Sequence, residues 1–271
     1  MKNKKIKFSS IILAILFMFF LVLFIISLFN IIKWSIDAKK TNEQIVKLDE
    51  LVNIEKIKDS DKTNIYSEDP NKDNPYWKYI KMNLINVNFK ELKAINDDTV
   101  GWIQVNNTNI NYPIVRATDN EFYLTHSFDK SWNDAGWVFM DYRNKIVNDK
   151  NTIIYAHSRL DKTMFGTLRN ILKSDWINNS DNYVVKLSTE EENSLWQVFS
   201  VYKIPATSDY IRTDFRNNDD FNDFVNLLIN RSDYNFNTFV NGNDRILTLS
   251  TCYDDHNRVV LHAKLIKNEK R

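Results

Sequence analysis

Glycine and proline are scarce, with four of each in 271 residues. That excludes collagen-like and linker-dominated architectures. A dominant charge is missing too: 36 basic residues face 35 acidic ones, for a net charge of +1. A general nucleic-acid binder needs a basic surface to displace counterions, so no nucleic-acid partner is expected. Cysteine is nearly absent. Cys252 is the only one, which excludes an intramolecular disulfide framework. The sequence contains no internal repeat.

What is present is a hydrophobic start and a strand-rich remainder. Aromatics make up 13% and the AVILMFWYC group 43%, enough to build a sizeable core. Lys2, Lys4, Lys5 and Lys7 precede a run from Phe8 to Ile32 whose polar members are Ser9, Ser10, Ser27 and Asn30. At about 1.5 Å per residue, such a run spans a hydrocarbon core of roughly 30 Å. Asn30-Ile31-Ile32-Lys33-Trp34 offers no small-residue cleavage site, so residues 1–33 read as a basic tip and an uncleaved transmembrane signal anchor. The four lysines predict an inside N-terminus, a single pass through the cell membrane via residues 8–32, and an outer location for the remainder of the chain. Residues 34–74 read as a lead-in. From Asp37 to Lys58 the spacing of Ile45, Leu48, Leu51, Val52 and Ile54 predicts an amphipathic helix, and Asp59 to Asn74 a loop or linker.

The main domain is expected over 75–271. A short helix is predicted over Asn88 to Ile95. From Val100 on, short alternating segments predict strands at Trp102–Val105, Ile110–Val115, Trp137–Met140, Thr152–Tyr155, Asn182–Leu187, Leu195–Ile204, Ile246–Thr251 and Val259–Ile266, with a turn at Asn106-Asn107. Seven or eight strands suggest a barrel or sandwich. Helical stripes interrupt them at Lys162–Leu172 and Asp219–Arg231. The class is mostly β with flanking helices (α+β).

In the strand ending at Cys252, alternation puts Leu247 and Leu249 on one face and Thr248, Ser250 and Cys252 on the other. A lone thiol outside the cytoplasm is inert and buried, paired with another chain, or kept for its reactivity, and the residues leave these readings open. A reactive thiol needs a base or a cation nearby. Of the four histidines, His157 follows an apolar strand and precedes Ser158-Arg159, a position able to open on a cleft. His126 sits among aromatics, His256 in a charged turn, and His262 within a strand. If the last two strands pair as a hairpin, Arg258 returns beside Cys252, where it could lower the thiol pKa and stabilise an oxyanion. An ordinary surface arginine is the competing reading. Asp254, Asp255 and His256 lack a defined ligand spacing and read as a solvated turn, so no metal is expected.

Thr248-Leu249-Ser250-Thr251-Cys252 resembles the TLxTC signature of sortases, with an arginine at the start of the next strand and an upstream histidine in Tyr155-Ala156-His157-Ser158. Val100–Ile103, Asn111–Val115 and Gly136–Asn144 are similar to segments of class B sortases, and the helix Asp219–Arg231 to the extra helix of that class. The resemblance covers roughly Pro75 to Lys267. It implies a closed, mostly antiparallel eight-stranded β-barrel behind one transmembrane helix, and transpeptidation at a cell surface without a cofactor. The implied partners are sorting-signal-bearing surface proteins and the amine of a cell-wall precursor or pilin. The implied roles are nucleophile for Cys252, general acid/base for His157 and oxyanion stabilisation for Arg258, with Thr251, Ser250 and Tyr155 lining the substrate. Class B implies a motif starting Asn-Pro or Ser-Pro in place of Leu-Pro. Two departures stand out: Ala156 stands where the family usually has glycine or a similarly small residue before the histidine, a mild change, and the Cys252 to Arg258 gap is short compared with several relatives. A cysteine peptidase using water, or an anchored binding domain with a structural cysteine, are the rival readings.

Overall fold

The computed structural model describes residues 8–66, 74–146, 148–254 and 256–271. The apolar run and the charged stretch after it form one continuous helix, α1 (Phe8–Leu51). It is long and apolar enough to cross a membrane; the four lysines before it lie outside the described residues. Its far end packs on the domain through buried Leu48 and half-buried Ile45. The helix expected to reach Lys58 stops at Leu51. Ile54–Ile57 is instead a strand, β1, and Thr63–Ile65, expected as linker, is β2. β1 pairs antiparallel with β3 (Leu84–Val87). The β-branched Ile54 and Ile57 favour extended backbone, and β3 offers the hydrogen-bond partners that a helix would have found internally.

Eight further strands form the barrel: β4 (Thr99–Val105), β5 (Asn111–Val115), β6 (Phe139–Met140), β7 (Asn151–Tyr155), β8 (Val184–Ser188), β9 (Glu192–Pro205), β10 (Ile246–Cys252) and β11 (Asn257–Lys270). Their order is β10-β7-β6-β5-β4-β8-β9-β11, and β11 pairs back with β10 to close the ring. β5–β6 and β7–β10 are parallel and the other pairs antiparallel. This is the closed eight-stranded barrel that the resemblance implied, with β2 added along β11. The expected turn between β4 and β5 is present, with Asn107 at φ 51°, a left-handed conformation that asparagine tolerates.

Short helices α2 (Tyr76–Tyr79), α3 (Lys90–Ile95) and α4 (Ser174–Ile177) border the barrel, and α5 (Asn218–Asn230) lies across its outer face. The helix expected over Lys162–Leu172 is a turn followed by a 3-10 helix, Gly166–Leu172. Asp161 explains the change: its carboxylate accepts from the backbone N–H and the hydroxyl of Thr163, and Lys162 and Met164 adopt φ of 67° and 52°. A side chain that bonds its own backbone nearby competes with the helix ladder.

Both faces of the cysteine strand are covered. Leu247 and Leu249 enter the barrel core. The opposite face meets α5, whose Phe221, Phe224, Val225 and Leu228 pack with Phe199, Tyr202, Ile246 and Val260, each full burial contributing about 1.5–3 kcal/mol. Asn217 caps α5 by accepting from the Asp220 N–H at 2.9 Å, satisfying one of the free N–H groups of the first turn.

His262 sits in this layer, fully buried, with Thr248 Oγ1 2.9 Å from Nδ1 and Tyr202 Oη 2.8 Å from Nε2. Burial, and then the positive charge of Arg231, push its pKa from 6.5 down to about 3. The folded state therefore refuses a proton that the unfolded chain accepts, so stability is full above pH 6.5 and falls as pH drops from there toward 3. Urea midpoints measured across that range should decline in the wild type and decline less in His262→Gln.

Candidate active site

β10 and β7 run parallel in a register that pairs Ser250 with Tyr155. Two residues farther along lie Cys252, the last residue of β10, and His157, just past the end of β7. Thr251 Oγ1 donates to the Ala156 carbonyl at 2.7 Å, which keeps the two chains together past the last ladder pair. β11 returns antiparallel, placing Arg258 directly across from Cys252. Directly opposed residues share a face with Cβ atoms about 5 Å apart. The hairpin turn is short because Asp254 closes it, accepting from the N–H groups of His256 and Asn257 and from the Asn257 amide. Asp255 lies outside the described residues.

These three side chains border one cavity of about 770 Å³, together with Tyr155, Ser250 and Thr251. That size suits a peptide-sized ligand. Cys252 is half-buried. The Thr251 hydroxyl is spent on the Ala156 carbonyl, and the Ser250 hydroxyl lies 3.0 Å from Tyr210 Oη.

The His157 ring is oriented by backbone. Its Nε2 lies 2.7 Å from the Leu124 carbonyl oxygen, which can only accept, so Nε2 carries the hydrogen and Nδ1 is the other ring atom. Behind it lies Gly136 at φ 60°, where a Cβ would come within 2.5 Å of the Tyr123 carbonyl oxygen, 2.9 Å of that of Leu124 and 3.0 Å of His157 Cδ2. Only glycine fits that backbone conformation and that space.

A second network supports the wall. The buried Asp141 carboxylate accepts from Tyr155 Oη at 2.9 Å, Asn120 Nδ2 at 3.0 Å, and Arg143 Nε and Nη2 at 2.8 and 2.7 Å. Burial alone would raise the Asp141 pKa, but its hydrogen bonds to Arg143 and Tyr155 leave it below the usual value. Burial first, then the Asp141 charge, push the Tyr155 hydroxyl upward, so it stays a neutral donor. Arg143 Nη2 also donates to the Ile211 carbonyl at 3.0 Å, tying to the same anchor the segment from Ala206 to Ile211, which contributes to the cavity lining.

The structure thus brings Cys252, His157, Arg258, Tyr155, Ser250 and Thr251 to one cavity. His126 stacks on Phe122 with ring centroids 3.9 Å apart, and His256 belongs to the turn. Sequence reasoning missed Asn120, Leu124, Tyr210 and Ile211, which also border the cavity. Leu124 ends a single 3-10 turn, Phe122–Leu124, and the others lie in loops without periodicity, where only long-range hydrogen bonds reveal a role.

Comparison with known proteins adds a family. The Sortase domain model matches residues 103–266. Sortase B of Staphylococcus aureus (strain NCTC 8325 / PS 47) is 38% identical over 184 residues, covering 66% of this chain and 75% of that protein. The chain belongs to the sortase family, class B.

Solved structures agree. Sortase B of Clostridium perfringens superposes with a TM-score of 0.63 at 35% identity, over 66% of this chain and 100% of that one. A Staphylococcus aureus sortase B-substrate complex gives 0.62 at 38% identity, over 66% and 84%. As a class B sortase, the protein is a cysteine transpeptidase that anchors or joins surface proteins.

Gly136→Ala in this sortase is expected to lower both the melting temperature and kcat/KM. The left-handed backbone alone costs alanine about 1–2 kcal/mol, and the new methyl displaces the Leu124 carbonyl that orients His157. Thermal melting paired with peptide cleavage checks this, and the loss of turnover should exceed the loss of folded protein.

Proposed function

We propose that Cys252 is the nucleophile, His157 the general acid/base acting through Nδ1, and Arg258 the oxyanion stabiliser of this transpeptidase. The observation that carries the reading is the shared cavity, with Cys252 and His157 two residues past a parallel ladder pair and Arg258 across the hairpin. The Cys252 thiol passes its proton to His157 Nδ1, and the sulfur attacks the threonine carbonyl of a sorting-signal pentapeptide. Arg258 stabilises the tetrahedral oxyanion, and a proton from His157 goes to the departing amine as the peptide bond breaks. A thioester remains on Cys252. An amine of a cell-wall precursor or pilin then attacks that thioester, His157 takes its proton, and the sulfur leaves as a new amide forms. Tyr155, Ser250 and Thr251 line the peptide.

In this reading residues 1–33 anchor the chain with the N-terminus inside, 34–74 lead in, and 75–271 form the catalytic domain on the outer face. The length and apolarity of α1 support the anchor, and the basic N-terminus supports the orientation. A sorting-peptide library incubated with a soluble amine tests the assignment. Amide-linked product rising with amine concentration supports it, and hydrolysed peptide alone at every concentration contradicts it.

A further inference from the structure

The catalytic domain meets α1 where the apolar run ends. Lys33 Nζ lies 2.5 Å from Asp134, and the Arg159 guanidinium sits 5.8 Å from the ring centre of Trp34. Farther up the helix, Asn133 Nδ2 donates to Thr41 Oγ1 at 3.0 Å and to the Asp37 carbonyl at 3.4 Å, and the Phe128 N–H to Gln44 at 3.2 Å. The loop through Asp134 therefore follows α1 down to its last apolar turn. Lys33 and Trp34 lie within one turn of Ile32, at about 1.5 Å of rise per residue. The interfacial layer on each side of the hydrocarbon is roughly 5–8 Å deep, so Asp134 and Arg159 fall at that level.

Beside these two contacts stand two large apolar side chains with little cover. Trp132 is 60% exposed and Leu160 82%. Single exposed apolar residues are ordinary on a soluble surface, but these two share the height of the membrane exit, where tryptophan is enriched. Both are held. Trp132 Nε1 donates to Asp134 at 3.1 Å and its ring packs edge-on to His126. Leu160 tips a tight loop closed by the Phe165 N–H on the His157 carbonyl at 3.0 Å and by a bridge between Ser158 and Met164.

We propose that Trp132 and Leu160 form a second membrane contact, docking the catalytic domain on the lipid surface beside its own anchor. The inference rests on the reading of α1 as a membrane anchor. Its consequence is positional. Leu160 is three residues from His157, so the acid/base is held within about 10 Å of the lipid contact, at roughly 3.3–3.6 Å per residue. With α1 continuous to Leu51, the cavity has a fixed height and orientation over the bilayer, where a flexible stalk would let it sweep.

The test uses the full chain with Cys252→Ala in lipid vesicles, carrying one new cysteine at a time through Trp132→Cys, Leu160→Cys, Leu23→Cys or Phe239→Cys. Each is labelled with an environment-sensitive fluorophore and exposed to spin-labelled lipids. Phe239 is the control, 66% exposed but packed beside Lys264. Expected are a blue shift and emission loss with headgroup-level quenchers at 132 and 160, loss with acyl-chain quenchers at 23, and no change at 239. Quenching at 23 without quenching at 132 and 160, or equal quenching at 239, overturns the docking. No quenching at 23 overturns the anchor reading itself.

Discussion

Replacing Cys252 by alanine is expected to abolish sorting-peptide cleavage while leaving the thermal melt nearly unchanged. In the proposed mechanism the thioester cannot form without the sulfur, so the loss is complete in the sense of acyl transfer. Little stability should go with it. Cys252 is half-buried at a strand end bordering open cavity, and the neighbouring Thr251 to Ala156 hydrogen bond, which joins β10 to the histidine segment, survives the change. Removing one sulfur beside an existing cavity creates little new void, unlike truncation in a packed core, where each lost methylene is felt. Differential scanning fluorimetry alongside peptide cleavage checks both halves. A large drop in melting temperature would show the thiol to be structural.

His157→Ala and Arg258→Ala are each expected to lower kcat/KM by several orders of magnitude. General acid/base groups typically contribute about 10²–10⁴-fold, and one oxyanion donor about 10²–10³-fold. The two differ in what restores activity. Arg258→Lys keeps the charge but loses the planar fork, so partial recovery is expected. His157→Ala should respond to added imidazole, since the cavity beside Cys252 is large enough to admit it. Near-normal turnover in either alanine variant removes that residue from the mechanism.

Much of this was legible in the sequence because short-range pattern carries it. The alternation of Leu247, Thr248, Leu249 and Ser250 predicts which face of β10 enters the core, and that is the face packed inside the barrel. The hairpin pairing of Cys252 with Arg258 follows from the short gap between two strand-like segments. The reach of the segment before His157 to Cys252 was less accessible, because a parallel pairing joins residues nearly a hundred positions apart and leaves no local signature. Ile54–Ile57 misled for a related reason: its spacing fits a helix, but its backbone partner, β3, arrives from about 30 residues later. Lys162–Leu172 misled because Asp161 redirects the backbone locally. Leu124 stayed hidden since it acts through its carbonyl, a group that every residue possesses.

The most direct measurement is intact-protein mass spectrometry of the wild-type domain mixed with a threonine-containing sorting-peptide library, before and after an amine is added. An acyl adduct is expected in the intact mass and, after digestion, on the peptide carrying Cys252, and it disappears on amine addition as amide-linked product appears in equal amount. An adduct on another residue, or one that decays to free acid at the same rate whatever the amine concentration, would contradict it.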